Sequence, residues 1–110
     1  MTVVLDGSNL TTTGVINSGT AVATTSGTSI DFTGIPAGVK RVTVMFNGVS
    51  TSGTSVVQVQ IGSGSFVTTG YNSTASWINT AGTNVGSYTS GFSTGNTYAA
   101  TDTRSGHMII

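Results

Sequence analysis

Between Lys40 and Val49 apolar residues recur at every second position. Val42, Val44 and Phe46 fall on one side of an extended chain, and Arg41, Thr43 and Met45 on the other. The same period returns from Ser55 to Ile61, where Val57, Val59 and Ile61 alternate with Gln58 and Gln60. The intervening STSGTS is turn-forming. This pattern predicts two adjacent antiparallel strands that bury Val42, Val44, Phe46, Val57, Val59 and Ile61 as a single face. Asn47-Gly48 is itself a hairpin signal, but with the better turn downstream it is read as a bulge.

Upstream, Ile30 and Phe32 alternate with Ser29, Asp31 and Thr33 and predict a short strand. Gly34-Ile35-Pro36-Ala37-Gly38 follows as a turn: proline fixes its own φ and biases Ile35 toward an extended form, and the flanking glycines permit the reversal. Lys40 and Arg41 then stand where the chain leaves the turn, and charges at such a place discourage edge-to-edge pairing. Downstream, GSGS ends the Ser55–Ile61 strand, and Phe66-Val67 begins a shorter one that Gly70 closes. Past Tyr71 the pattern weakens to isolated aromatics among Ser, Thr, Gly and Asn. It recovers at Gly106–Ile110, an apolar run read as a strand that needs cover, from another strand of this chain or from a second subunit.

The elements so predicted are all strands. Glutamate is absent, leucine occurs only at Leu5 and Leu10, and Thr, Val, Ser and Gly dominate, so helix is disfavoured throughout. From Thr2 to Thr28 short apolar groups alternate with Gly/Ser/Asn turns. Residues 1–25 therefore read as a loose shaft of short strands or a linker, and 26–110 as the β-module.

Charge narrows the function classes. Only 5% of residues are charged, three basic against three acidic, so the surface in contact with water must be built from Ser, Thr, Asn and Gly. No basic stripe exists to neutralise phosphates, which argues against nucleic acid as a partner. No apolar run approaches the roughly 20 residues of a membrane helix, and MTVVLDGSN lacks the basic and long apolar parts of a secretory signal. Without cysteine there is neither disulfide nor thiolate chemistry.

Residues 26–65, SGTSIDFTGIPAGVKRVTVMFNGVSTSGTSVVQVQIGSGS, strongly resemble a module of tailed-bacteriophage and prophage tail-fibre and related virion proteins. The later TTGY, TSGF and SGHMII fit the same pattern more loosely. The resemblance implies an all-β fold, an antiparallel β-sandwich of jelly-roll type. In similar proteins further strands follow SGHMII, so the module is expected to be truncated or completed by neighbouring subunits. It also implies a structural role in the virion, in a tail fibre or tail appendage, with a capsid decoration protein as a further reading. The partners implied are other virion proteins and further copies in a homotrimer. No catalytic residue and no cofactor come with it.

The residues offer little chemistry beside this. Asp6, Asp31 and Asp102 are far apart, and nothing in their spacing resembles the facing carboxylate pair of a glycosidase. His107 is the single histidine, at a strand entrance, and reads as structural rather than as part of a triad or a metal site. Asn9-Leu10-Thr11 and Asn72-Ser73-Thr74 match glycosylation sequons, incidental in a phage protein. Tyr71, Trp77 and Tyr88 are the candidates for contact with a host-surface glycan, because aromatic faces beside hydroxyls and amides suit sugars. Trp77 in STASWINT is read first as a packing residue, since large aromatics dominate small cores, and only second as a ligand contact. An assembly module, a glycan-binding module and, last, a depolymerase fragment are the function classes left open.

Overall fold

The computed structural model describes residues 16–25 and 27–110. Most of the expected loose segment 1–25, with Asp6 and Asn9, lies outside the described residues. The chain divides into two units, Met1–Ala37 and Gly38–Ile110. In the first, the described residues form no strand. The strand expected over 29–33 is therefore absent: Asp31 and Phe32 are exposed, and period-two alternation without a partner backbone does not make a strand. A turn is present at Ala37–Gly38, and Gly34 and Gly38, on either side of Pro36, take positive φ of 75 and 83.

Among the described residues the strands all lie in Gly38–Ile110: β1 (Thr43–Val49), β2 (Gln58–Val59), β3 (Gly62–Ser63), β4 (Ser65–Phe66), β5 (Ser73–Asn79), β6 (Gly82–Tyr88), β7 (Phe92–Ser93) and β8 (Arg104–Ile109). They form antiparallel two-stranded sheets, β1 with β8, β2 with β7, β3 with β4 and β5 with β6. The pairing is nested. First and last strands join, then second and second-to-last, with two local hairpins inside.

This corrects the expected pairing of Lys40–Val49 with Ser55–Ile61. β1 takes the C-terminal strand as its partner, and the 50–55 loop diverts the chain, with the Thr51 hydroxyl close to the carbonyls of Gly53 and Ser55 (3.0 and 3.1 Å). Only Gln58–Val59 of the second run is strand, and Ile61 is exposed. Both runs have the right period, but β8 offers Val44 and Phe46 a longer ladder than a two-residue strand can. The apolar run at the C-terminus is thus covered on one edge by its own chain. Asn47-Gly48 is a bulge, as read: the β1–β8 register shifts between Phe46 and Val49, and Gly48 has φ 63.

On one face of the β1–β8 sheet Val42, Val44, Phe46, Met108 and Ile110 are half-buried, while Thr43, Met45, His107 and Ile109 face out. Val42 and Ile110 exchange both backbone hydrogen bonds at 2.9 Å. The alternation of an antiparallel ladder then turns the N–H and C=O groups of Thr43 and Met45, and of His107 and Ile109, toward the two outer edges. Neither edge has a partner strand among the described residues. Nor is any apolar side chain fully enclosed among them, and the one buried polar side chain is Thr97, 4% exposed.

The GSGS stretch does more than end a strand. The chain reverses at Gly64 (φ 81), Gly62 pairs with Phe66, and Val67 N–H donates to the Ile61 carbonyl at 2.9 Å. A Cβ on Gly62 would run into the backbone carbonyl of Ser65. Gly62→Ala should therefore open this hairpin and destabilise the unit by about 1–3 kcal/mol. A shift in the urea midpoint, with faster amide exchange at Val67, is the expected observation, and an unchanged midpoint would contradict it.

Candidate functional site

The region past Tyr71, where alternation is weakest in hydropathy, folds into one of the two longest ladders. β5 and β6 pair from Ser73↔Tyr88 through Asn79↔Gly82. The turn between them uses a local device. Asn79 Oδ1 accepts from the Ala81 N–H (2.9 Å) and the Asn84 amide (3.2 Å), and Gly82 with φ 120 takes the conformation that Thr80 and Ala81 do not. Alternation along the hairpin gives it two faces. Thr74, Ser76, Ile78, Thr83, Val85 and Ser87 are exposed, with Ile78 at 83%. Ser73, Ala75, Trp77, Asn84, Gly86 and Tyr88 are half-buried.

The half-buried face carries the 92–98 segment. Ser93 N–H donates to the Ser73 hydroxyl at 3.1 Å. Gly95 lies against the Trp77 ring, close enough that an added Cβ would stand 3.5 Å from it. Trp77 Nε1 donates to the Tyr98 hydroxyl at 3.0 Å, and the Tyr88 hydroxyl donates to Asn96 Oδ1 at 3.0 Å. The Tyr88 ring folds back over Gly86, where a Cβ would come within 2.6 Å of its oxygen, so only glycine leaves room there. Just ahead of β5, Tyr71 meets Phe92 edge to face, centroids 5.1 Å apart and planes at 84°. Its hydroxyl accepts from Ile61 N–H at 2.9 Å.

The three aromatics expected to contact glycan therefore share the alternation of one face, and it is the face that packs inward. Each polar atom already has an intramolecular partner. Tyr98, which is not among the three glycan candidates, is exposed at 53%. Its loop is held by Asp102, whose Oδ2 accepts from the backbone N–H groups of Tyr98 (2.7 Å) and Ala99 (3.1 Å). Arg104 holds the same segment from β8, donating to the Asn96 carbonyl, to the Thr103 carbonyl at 3.3 Å and to the Thr97 hydroxyl at 3.5 Å. These residues had a sequence signal: Gly91 and Gly95 bracket Phe92-Ser93-Thr94, and such small residues mark close backbone approach.

Two shallow grooves flank Phe92. One, about 270 Å³, is lined by Ile61, Val67, Thr69, Gly70, Tyr71 and Asn72 together with Phe92. The other, about 220 Å³, runs between Ser73-side residues and the Met108–Ile110 end of β8. Neither groove holds a carboxylate or an imidazole. His107 is exposed on β8. Among the described residues no group of three His, Cys, Asp or Glu side chains is placed to hold a metal ion, and no helix is long and apolar enough to cross a membrane.

The chain matches no protein-family model, and no curated protein and no solved structure matches it significantly.

Proposed function

We propose that the chain is a structural module of a tailed-phage virion, of the tail-fibre or tail-appendage kind, acting through assembly and surface contact. The observation that carries this reading is the incomplete burial of the Gly38–Ile110 unit. Its strands are well patterned, yet none of its apolar side chains is fully enclosed. Subunit association supplies the missing burial, because removing apolar surface from water is the main favourable term in both folding and association.

The open edges suggest how copies join. β8 of one copy and β1 of the next can pair antiparallel and continue the sheet. That contact is heterologous: it makes a ring where its rotation closes, as in a homotrimer, and there neither the β1 nor the β8 edge stays open. A jelly-roll type of subunit fold belongs to this reading: the pairing of β1 with β8 and of β2 with β7 supports it, as the outer part of a long hairpin wrapped on itself, while β3–β4 and β5–β6 pair locally instead. The resemblance of residues 26–65 supplies the virion setting, and the surface of Ser, Thr and Asn offers neutral hydroxyls and amides to neighbouring virion proteins.

Light scattering after size-exclusion chromatography at several concentrations tests the assembly. A trimer mass at micromolar concentration is expected, and a monomer that persists at all concentrations overturns it. A host-glycan-binding role is the second reading, favoured by the open ring of Tyr98 and the groove with Thr69, Tyr71 and Asn72. Binding on a glycan array that is lost in Tyr98→Ala, with assembly intact, would establish it.

A further inference from the structure

Asn47 is the one asparagine in the chain that is followed by glycine. The pair stands at the bulge of β1, and both residues are exposed. Gly48 has φ 63, and the space where its side chain would be is empty, with nothing within 4 Å. Its N–H donates to the Ser105 hydroxyl on β8 at 3.0 Å. We propose that Asn47-Gly48 is a site of spontaneous deamidation and that Ser105 is its brake.

The chemistry needs only this peptide and water. The Gly48 backbone nitrogen gives up its proton and attacks Cγ of Asn47, forming an N–Cγ bond. The Cγ–Nδ2 bond then breaks, and the departing nitrogen leaves as ammonia after taking up a proton. Water opens the resulting cyclic imide at either carbonyl. Opening at Cγ leaves aspartate. Opening at the former backbone carbonyl leaves isoaspartate, whose main chain runs through Cγ. In both cases the net change is loss of ammonia and gain of one water.

Glycine favours this step because no side chain crowds the attacking nitrogen. The Ser105 hydrogen bond opposes it. While the Gly48 N–H points at the Ser105 oxygen, the nitrogen keeps its proton and stays turned toward β8. Ring closure requires that bond to break first. The brake is therefore set by the β1–β8 pairing, and the site converts faster whenever that pairing opens. The product places a new carboxylate in a chain whose three acids and three bases now balance, and the isoaspartate form lengthens the backbone inside the bulge. None of this depends on the virion reading.

The test is peptide mass mapping of the intact chain incubated in mildly alkaline buffer, folded and in denaturant. Asn47 should convert faster than Asn72, Asn79, Asn84 and Asn96, each of which precedes a residue with a side chain. Conversion in the folded chain should be slower than in denaturant. Ser105→Ala should accelerate the folded chain by about three- to tenfold, the factor expected for losing one ordinary hydrogen bond, and Ser105→Thr, which keeps the hydroxyl, should restore the slower rate. In denaturant all variants should converge. Equal rates for folded and denatured wild type would overturn the brake, even if Ser105→Ala failed to fold. An Asn47 no faster than the other asparagines in denaturant would overturn the site.

Discussion

Trp77→Ala should lower the stability of the chain by about 2–4 kcal/mol, toward the lower part of the range for removing a large aromatic because the ring is only half-buried. The ring is the main apolar mass on the inner face of the β5–β6 hairpin, and it supports the 92–98 segment in two ways. Gly95 packs on its surface, and its N–H holds the Tyr98 hydroxyl. Removing it leaves a gap under Gly95 and frees the loop that Asp102 otherwise holds. Trp77→Phe keeps most of the packing and loses the N–H, so its loss should be nearer 1 kcal/mol. Circular dichroism during urea unfolding measures both, since the variants lack the indole fluorophore. A Trp77→Ala chain with the wild-type midpoint would mean that the ring does not support the segment.

The second large effect concerns the open edges. If copies join through β1 and β8, the melting temperature of the wild type should rise with protein concentration, because association stabilises only the folded form. Met45→Lys and Ile109→Lys alter side chains that are 75% and 57% exposed, so either change by itself should shift the stability of an isolated subunit by less than about 0.5 kcal/mol. A lysine beside an open strand edge opposes pairing with another chain. The double variant should therefore lose the concentration dependence. At a concentration one hundred times the dissociation constant it should also lose about 2.7 kcal/mol of apparent stability. Wild type and variant melting together, independent of concentration, would remove the case for edge pairing.

Much of the local structure is legible in the residues themselves. The absence of helix among the described residues follows from a chain without glutamate and rich in Thr, Val, Ser and Gly. The turn after Pro36 and the bulge at Asn47-Gly48 follow from residues that fix φ or tolerate its positive range. Which side of β1 is apolar follows from alternation, because Cβ direction reverses at every residue of an extended chain. The β5–β6 hairpin was less visible because its inner face mixes Ser, Ala, Trp, Asn, Gly and Tyr, so hydropathy does not alternate even though size and burial do.

What the tertiary structure alone decided is partnership. Alternation marks the face a strand buries and says nothing about which backbone will satisfy its edges, so β1 was free to take β8 rather than its neighbour in sequence. The same limit applied to the aromatics. Tyr71, Trp77 and Tyr88 were recognisable as residues able to contact a ligand, but their orientation depends on the 92–98 segment. That segment lies across their face because Gly95 lets the backbone approach the Trp77 ring and because Asn96 and Tyr98 meet the Tyr88 hydroxyl and the Trp77 indole. A short-range pattern sets local conformation through sterics. Long-range hydrogen bonds and packing choose among the pairings that such a pattern allows.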